Sequence, residues 1–299
     1  MAEDLVETAS ATSAPAVSAP VEFNTRDLLL YAVGIGSKDP RYVYENHPEF
    51  AAFPTYPIVL TFKGTSFDVL PFPPQFMMEF PQPSLPNVRN VLDAEKYIEK
   101  INDLPTEGGK MFLKGRTIGV HQKGKNGLVE QEFMLVDGAG KEYYKIVSGA
   151  MMVGAKGFKD SGVSYSKDAK PPSTPASHTI EQTTDEYQTH IYRLSGDYNP
   201  LHIDQDSAQM FGFEKPIIHG QCTMGIVARG LLDTLAGGAS SRFKTIALRF
   251  ASPVIPGETL VTEVWAEAPS KFIFQTKVKE TGKVCVSNGR FELMPEAKL

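Results

Sequence analysis

One stretch in the second half of the chain has apolar residues at helical spacing. The residues that recur at i, i+3, i+4, i+7 and i+11 are Met224, Val227, Ala228, Leu231 and Leu235. This period puts them on one face of an α-helix. Gly237 and Gly238 follow, and glycines at this place are typical of a helix end. The pattern therefore predicts a buried helix that begins near Gly220.

Runs of alternating or β-branched residues predict antiparallel strands in both halves. In the first half they span 110–119, 128–136 and 143–153, the last two joined by a turn at Asp137-Gly138. In the second half they span 245–250, 259–267, 271–279 and 284–293. Strands of this kind together with one long helix predict an α+β fold in which an antiparallel sheet wraps a central helix.

The two halves resemble each other. Tyr31, Pro40 and Pro57 correspond to Tyr192, Pro200 and Pro216, at separations of 161, 160 and 159 residues. Two copies predict two similar domains rather than a solenoid. We expect these domains at 23–158 and 179–294, joined by a linker at 159–178 that is rich in Pro, Ser and Lys.

The remaining segments are predicted from composition. Residues 1–22, rich in Ala, Ser, Thr, Val and Pro, are expected to be a flexible tail and not a secretory signal. Six prolines between 70 and 86 exclude a regular helix there. The position of the first domain's central helix is therefore left open.

Composition also limits the classes of partner. The 299 residues are 41% hydrophobic and 22% charged, and their net charge of -5 provides no general basic surface for nucleic acid. No stretch approaches the roughly 18 apolar residues that a membrane span needs. Cys222 and Cys285 are expected to be buried free thiols.

The candidate chemistry is concentrated in six residues. Asp197, Asn199 and His202 supply an acid, an amide and an imidazole; the turn former Gly196 comes just before the acid, and Pro200 lies inside the segment. A bend here would aim several side chains at one water molecule. The same residues could instead be a helix cap, an ordinary turn and a core histidine.

The predicted helix start adds a further group. Gly220 would present a backbone N–H without an intrahelical partner, at the end of the helix dipole that favours negative charge. A base, an acid and such an oxyanion donor are the groups needed to add water across a double bond conjugated to a thioester. His219, beside Gly220, is expected to be structural.

Gly196-Asp-x-Asn-Pro-x-His202 followed by Ile-x-His-Gly220 resembles the signature of the (R)-specific 2-enoyl-CoA hydratases of the hydratase-2, MaoC-like type. This family includes the hydratase portion of peroxisomal multifunctional enzyme type 2. The resemblance extends over about residues 24–294. It implies two hot-dog domains, and it implies hydration of trans-2-enoyl-CoA to (R)-3-hydroxyacyl-CoA in peroxisomal β-oxidation. It also implies a homodimer that uses no cofactor beyond the CoA of its acyl-CoA substrate.

The resemblance also implies roles for residues. Asp197 and His202 would activate water, Asn199 would position it, and the Gly220 amide would stabilise the thioester oxygen. An ionised Asp197 beside an imidazole with a near-neutral pKa would suit this task. Contacts with the substrate and its CoA are expected at Lys123, Phe250, Asp93, Ala94, Tyr198, Pro200 and Leu201.

The sequence departs from the family in two places. The peroxisomal relatives tend to have His-Gly where this chain has Asp93-Ala94. The position in the first half that matches His202 is Tyr42, so that half lacks the acid–histidine pair. We expect the first half to hold the acyl chain, with structural packing against the second half as the alternative.

Alternatives to the hydratase remain. A hot-dog thioesterase, a dehydratase of a specialised acyl-CoA pathway and a non-catalytic acyl-CoA-binding protein would all suit the predicted fold. Zinc at His202, Asp204 and His219 is not expected, because no paired-ligand spacing is present.

The C-terminal residues resemble a targeting signal. Ala297-Lys298-Leu299, in a predicted tail at 295–299, has the form of the peroxisomal Ser-Lys-Leu address. The sequence therefore predicts a peroxisomal protein that binds the import receptor.

Overall fold

The computed structural model describes residues 5–295 of the chain. The α-helices of this range are α1 (Ala9–Ser13), α2 (Thr25–Gly34), α3 (Pro40–Val43), α4 (Leu60–Lys63), α5 (Gln188–Tyr192), α6 (Gln205–Met210) and α7 (Gly220–Ala236). Its first six strands are β1 (Val17–Asn24), β2 (Asn90–Lys100), β3 (Gly108–Lys123), β4 (Asn126–Asp137), β5 (Glu142–Val153) and β6 (Ser161–Gly162). The others are β7 (His178–Thr183), β8 (Phe243–Phe250), β9 (Thr259–Ala268), β10 (Lys271–Val278) and β11 (Val284–Leu293).

One antiparallel sheet extends through both halves. Its order is β1-β3-β4-β5-β2-β8-β11-β10-β9-β7, with β6 paired to β3. The halves join where β2 pairs with β8, in a register that sets Ile98 opposite Ile246. Both residues are buried in the main hydrophobic core. The two predicted sheets are thus halves of a single continuous layer.

The long helix α7 lies in the core of the second half, as predicted. It runs from Gly220 to Ala236 and ends at Gly237, which has a left-handed φ of 57° and donates its N–H to Leu232 O. Its apolar residues pack with Ile246, Phe274 and Phe291 of the sheet. Both the helix and the α+β arrangement are confirmed.

The equivalent helix of the first half is only one turn long. Pro57 and Ile58 lie in a 3-10 helix, Tyr56–Val59, that leads into α4 at Leu60–Lys63. Gly64 then ends α4, and a Cβ at Gly64 would lie 2.8 Å from the Phe76 ring. The first half therefore has a short central helix covered by the proline-rich segment.

The predicted flexible tail at 1–22 is wrong for its described part. Residues 17–24 form β1, an edge strand paired with β3. Ala19, Val21 and Phe23 alternate as buried residues in this strand, a period of two that indicates one face against the core. Further upstream, Val6 bridges Phe158. The low-complexity composition concealed this short alternation.

The predicted linker at 159–178 connects the halves but is not a free connector. Tyr165 and Ser166 donate backbone N–H groups to the buried Glu130 carboxylate at 3.0 and 2.7 Å. The Trp265 indole donates to Thr174 O at 2.8 Å. The segment is a strap over the sheet, held by contacts with residues far away in sequence.

No helix within residues 5–295 combines the length and the apolar character needed to cross a membrane. Cys222 and Cys285 are free and buried, as predicted. The predicted targeting tail at 295–299, including Ala297-Lys298-Leu299, lies outside the described residues except for residue 295.

Candidate active site

The loop that carries the predicted chemistry is built from turn residues. Gly196 has a φ of 136°, and a Cβ there would lie 2.9 Å from the Lys63 side chain, so the position requires glycine. Asp197 Oδ1 accepts a hydrogen bond from Asn199 N at 3.2 Å, and Asn199 Oδ1 accepts one from Leu201 N at 3.1 Å. These bonds start the 3-10 helix Pro200–His202. The turn predicted from sequence is present, and Asn199 is its cap.

The loop turns the acid and the imidazole inward. Asp197 is 6% exposed and His202 8% exposed. His202 Nδ1 lies 2.8 Å from Ile217 O, so Nδ1 carries the proton of a neutral ring and Nε2 keeps its lone pair. The backbone therefore sets the tautomer that a proton acceptor requires.

His219 supports both members of this pair. Its Nε2 donates to the backbone oxygen of Asp197 at 3.1 Å, and its ring stacks on His202 with centroids 3.7 Å apart and planes at 28°. Polar atoms of Asp197, His202 and His219 all lie within 4.8 Å of one another. The structure thus brings together the pair that the sequence predicted. Asp204 does not join them, because it caps α6 by accepting from Ser207 N.

Burial changes the protonation of the site. The pKa of Asp197 is raised to about 7, mainly because the carboxyl is removed from water; the Asn199 N–H opposes this rise, the charge of Asp93 adds to it and the charge of Lys96 opposes it. Burial lowers the pKa of His202 to about 4 and holds the pKa of His219 well below its usual value. The expectation of a near-neutral imidazole pKa is therefore wrong, whereas the Asp197 carboxyl is partly ionised near pH 7. Both rings are neutral at pH 7, and Asp197 is the group that titrates there.

The start of α7 faces an aromatic ring. Gly220 is the first residue of α7, and no side chain caps its N-terminus. A Cβ at Gly220 would lie 3.1 Å from Cε2 of Phe250, a half-buried residue at the end of β8. Glycine lets this ring approach the helix N-terminus, where the dipole is positive. Gly220 and Phe250 are in contact.

A charged group near the site was missed by sequence reasoning. A bulge in β2 lies between Asp93 and Glu95, at Ala94. Beyond it the buried Lys96 ammonium contacts Asp93 and Ser148 Oγ. The charges of Asp93 and Lys96 both act on the pKa of Asp197. The sequence pattern could have revealed this lysine. Lys96 lies between Ala94 and Ile98 on the buried face of an alternating strand, where a charged residue needs a partner.

The other predicted contacts lie around this region. Lys123 ends β3 at the hairpin to β4. The pairs Asp93–Ala150, Ala150–Val129 and Val129–Val120 form one row across the sheet, so Lys123 lies near the same end of the sheet as Asp93. Tyr198, Pro200 and Leu201 are half-buried in the loop, and the Arg193 guanidinium lies 4.9 Å from the Tyr198 ring centre.

A row of buried aromatic rings extends from the histidines into the first half. Tyr192 lies 5.0 Å from the His219 ring and 5.9 Å from Tyr31, which lies 5.7 Å from Tyr56. The Tyr31 hydroxyl bonds to Thr55, whereas those of Tyr192 and Tyr56 have no hydrogen-bond partner within the described range. Tyr31 and Tyr192 were visible in sequence only as equivalent positions of the repeat.

These features define a class: a double hot-dog protein, with a buried acid–imidazole pair near the N-terminus of the long central helix α7. Comparison with known proteins makes this more specific. Residues 21–154 match the family model of the MFE-2 hydratase 2 N-terminal domain, and residues 167–288 match that of the MaoC like domain.

Three relatives illustrate the relationship. Enoyl-CoA hydratase 2, peroxisomal, from Arabidopsis thaliana is 33% identical over 89% of this chain and 88% of its own. The peroxisomal multifunctional enzyme type 2 of Drosophila melanogaster is 36% identical over 95% of this chain. A MaoC-like dehydratase from Phytophthora capsici has a solved structure that superposes with a TM-score of 0.89 and 39% identity, covering 96% of this chain and 99% of that one.

The chain belongs to the MaoC-like, hydratase 2 family, as the resemblance implied. It spans 48% of the Drosophila enzyme and 36% of the mouse multifunctional enzyme.

Proposed function

We propose that the protein catalyses the reversible hydration of trans-2-enoyl-CoA to (R)-3-hydroxyacyl-CoA. The observation that carries this proposal is the convergence of the buried Asp197 and His202 on one region, with polar atoms within 4.8 Å. The names of its relatives supply the reaction, and the (R) stereochemistry is that of the hydratase 2 type.

In the proposed mechanism one water lies between two acceptors, His202 Nε2 and the Asp197 carboxylate. As its oxygen attacks Cβ of the substrate, one of its protons passes to this pair and electrons move to the thioester oxygen. The Gly220 N–H stabilises this oxygen at the helix N-terminus. A proton then returns from the pair to Cα, so that the enzyme ends as it began. Asn199 serves by holding the loop that aims both side chains.

We propose that this reaction needs no metal or other cofactor. The His202 and His219 rings stack with planes at 28°. An imidazole lone pair lies in the plane of its ring, so two nearly parallel, stacked rings are poorly placed to point at a common ion. His202 Nδ1 and His219 Nε2 are also engaged with backbone oxygens.

We assign substrate binding to both halves. The one-turn α4 takes the place of a 17-residue helix, so the first half is proposed to hold the acyl chain. Phe250, Asp93, Ala94 and Tyr198 would contact the reacting end of the substrate, with Pro200 and Leu201 beside them. Lys123 would bind a phosphate of CoA. It lies on the order of 15 Å from Asp93, because three inter-strand spacings separate β3 from β2.

We further propose a peroxisomal location and a homodimer. Relatives are named as peroxisomal enzymes, and Ala297-Lys298-Leu299 fits the signal that an import receptor reads. Two-fold assemblies are the commonest oligomers.

Spectroscopy on purified protein with an enoyl-CoA tests the activity. Loss of the enoyl-thioester absorbance without release of free thiol is expected. Free thiol would indicate the thioesterase instead, and unchanged substrate a binding protein.

Asp197→Asn should lower kcat by roughly a thousandfold or more while substrate still binds. Asp103→Asn provides a matched control, because Asp103 is an exposed acid beyond the other end of β2. Equal activity of the two variants would remove Asp197 from the mechanism.

A further inference from the structure

The catalytic loop packs against the end of the one-turn helix of the first half. Lys63 is the last residue of α4, and a Cβ at Gly196 would lie 2.9 Å from Lys63 Cβ and 3.3 Å from its Cα and N. The two chain segments are therefore in direct contact, with no space between them for a side chain. Gly196 directly precedes Asp197, so the position of the candidate catalytic acid depends on where α4 ends.

Lys63 carries a buried charge. It is 5% exposed, and its Nζ lies 3.3 Å from Oδ2 of Asp27, which is 8% exposed. Lysines are rarely buried to this extent unless they are paired. The Asp27 carboxylate also accepts from Asn24 N at 3.0 Å, at the start of α2. The ammonium of Lys63 thus joins the end of α4 to the start of α2.

The same ammonium holds the residues that lead into the proline-rich segment. It donates to Ser66 O and lies 4.0 Å from the centre of the Phe67 ring. A cation over the face of an aromatic ring is attracted by the ring electrons. Together with Asp27, these contacts fix the end of α4 on three sides within the first half.

Lys63 can act on Asp197 only through the position of the loop. The charges that act on the pKa of Asp197 are those of Asp93 and Lys96. Within the second half, His219 Nε2 donates to Asp197 O at 3.1 Å. The backbone of the loop is thus supported by His219 from its own half and by Lys63 from the other.

We propose that Lys63 is a positioning residue for Asp197, contributed by the half of the chain that lacks the acid–histidine pair. Its ammonium fixes the end of α4, and the end of α4 fixes the loop at Gly196. This role rests on the proposed function, in which Asp197 and His202 converge on one water. A misplacement of about 1 Å can lower a rate on the order of a hundredfold, so a support outside the site affects catalysis.

Lys63→Met tests the proposal, because methionine keeps the Cβ and most of the side-chain length but removes the charge. With an enoyl-CoA substrate, kcat should fall by about tenfold to a hundredfold, whereas KM should change by less than about threefold. Lys100→Met is the matched control. Lys100 is 6% exposed, pairs with Asp103 at 2.8 Å and donates to Ser240 O at 2.7 Å, beyond the C-terminus of α7. Its kcat should stay within about twofold of wild type.

The pH profile separates positioning from a general loss of stability. Burial is the main cause that raises the pKa of Asp197 to about 7. A loosened loop would let water reach the carboxyl, so its pKa should fall and the midpoint of kcat/KM should move to lower pH in Lys63→Met. Lower stability of the whole chain would leave this midpoint near 7, as is expected for Lys100→Met.

Hydrogen–deuterium exchange provides a measurement that does not need activity. The amides of residues 193–202 should exchange about tenfold faster in Lys63→Met than in wild type, and Lys100→Met should leave them unchanged. If the wild type hydrates no enoyl-CoA but this difference is observed, the proposed function fails and the support of the loop by Lys63 stands.

Three results would overturn the proposal. They are unchanged exchange over residues 193–202 in Lys63→Met and, for an active wild type, a kcat of this variant within about twofold of wild type or a pH midpoint that does not move. If Lys63→Met does not fold because Asp27 is left buried and unpaired, the double variant Asp27→Asn with Lys63→Met removes both charges. The same measurements and outcomes then apply to the double variant.

Discussion

Asn199 and Asp39 perform the same local task 160 residues apart. Asn199 Oδ1 accepts from Leu201 N at 3.1 Å, and Asp39 Oδ1 accepts from Arg41 N at 3.0 Å. Each starts a one-turn helix with proline at its first position. The duplication thus preserved the turn, while the residue that ends the motif changed from His202 in one half to Tyr42 in the other.

The two caps should differ in their effect on catalysis. Asn199→Ala and Asp39→Ala each remove an N-cap and should lower the free energy of unfolding by about 1 kcal/mol or more. Only Asn199→Ala should also lower kcat, because its loop aims Asp197 and His202. Denaturant unfolding and steady-state kinetics measure both effects. Asn199→Asp, which keeps a capping oxygen, should restore stability, and an equal loss of kcat in both alanine variants would contradict the assignment.

The activity should follow the titration of Asp197. Burial raises its pKa to about 7, and the mechanism uses the carboxylate, so kcat/KM should rise with pH and level off above about 7. Below that value the rate should fall by about tenfold for each pH unit. His202, with a pKa of about 4, stays neutral and should add no second limb between pH 5 and 9.

A pH series of kcat/KM checks this prediction. The direction in which kcat/KM changes with pH is decisive. If kcat/KM falls as the pH rises through 7, the protonated Asp197 is the reactive form and acts as proton donor. Asp103→Asn should leave the midpoint in place.

Gly220→Ala should damage activity through Phe250. A Cβ at Gly220 would lie 3.1 Å from the ring, so the ring or the helix start must shift by a few tenths of an ångström. The alanine N–H is still a donor, but it would be displaced, and we expect kcat to fall by about tenfold to a hundredfold. The double variant Gly220→Ala with Phe250→Leu should regain part of this loss. No recovery in the double variant, with Phe250→Leu alone near wild type, would refute the steric explanation.

Tyr42→Phe should reduce stability without affecting catalysis. The Tyr42 hydroxyl donates to Gly238 O at 2.5 Å beyond the C-terminus of α7, and its loss leaves a carbonyl unpaired. We expect a loss of about 1–2 kcal/mol in the free energy of unfolding and an unchanged kcat. Thermal or denaturant unfolding measures the effect. Tyr143→Phe is the control, since its hydroxyl bonds to Asp137 at 3.3 Å in a more exposed setting. A fall in kcat for Tyr42→Phe alone would indicate that this residue acts on the catalytic half.

Much of the fold could be predicted because its signals are local. The helical period from Met224 to Leu235, the strand alternations and the turn residues around Asp197 depend on neighbours a few positions away. Comparison of the two halves position by position also revealed the repeat, and it showed that Tyr42 occupies the position that matches His202. By contrast, β1 was concealed by the composition of its segment, and its place in the sheet depends on pairing with β3 about 90 residues later.

The sequence by itself determined that the candidate acid and imidazole lie in one turn of the second half, because turn, cap and periodicity preferences act over a few residues. Only the tertiary structure decided their protonation, because the desolvation that raises the pKa of Asp197 and lowers that of His202 comes from segments packed around them. It also decided that Lys96 lies near Asp197 and that the Tyr42 loop meets the end of α7. Such contacts join residues more than a hundred positions apart, and packing alone brings them together.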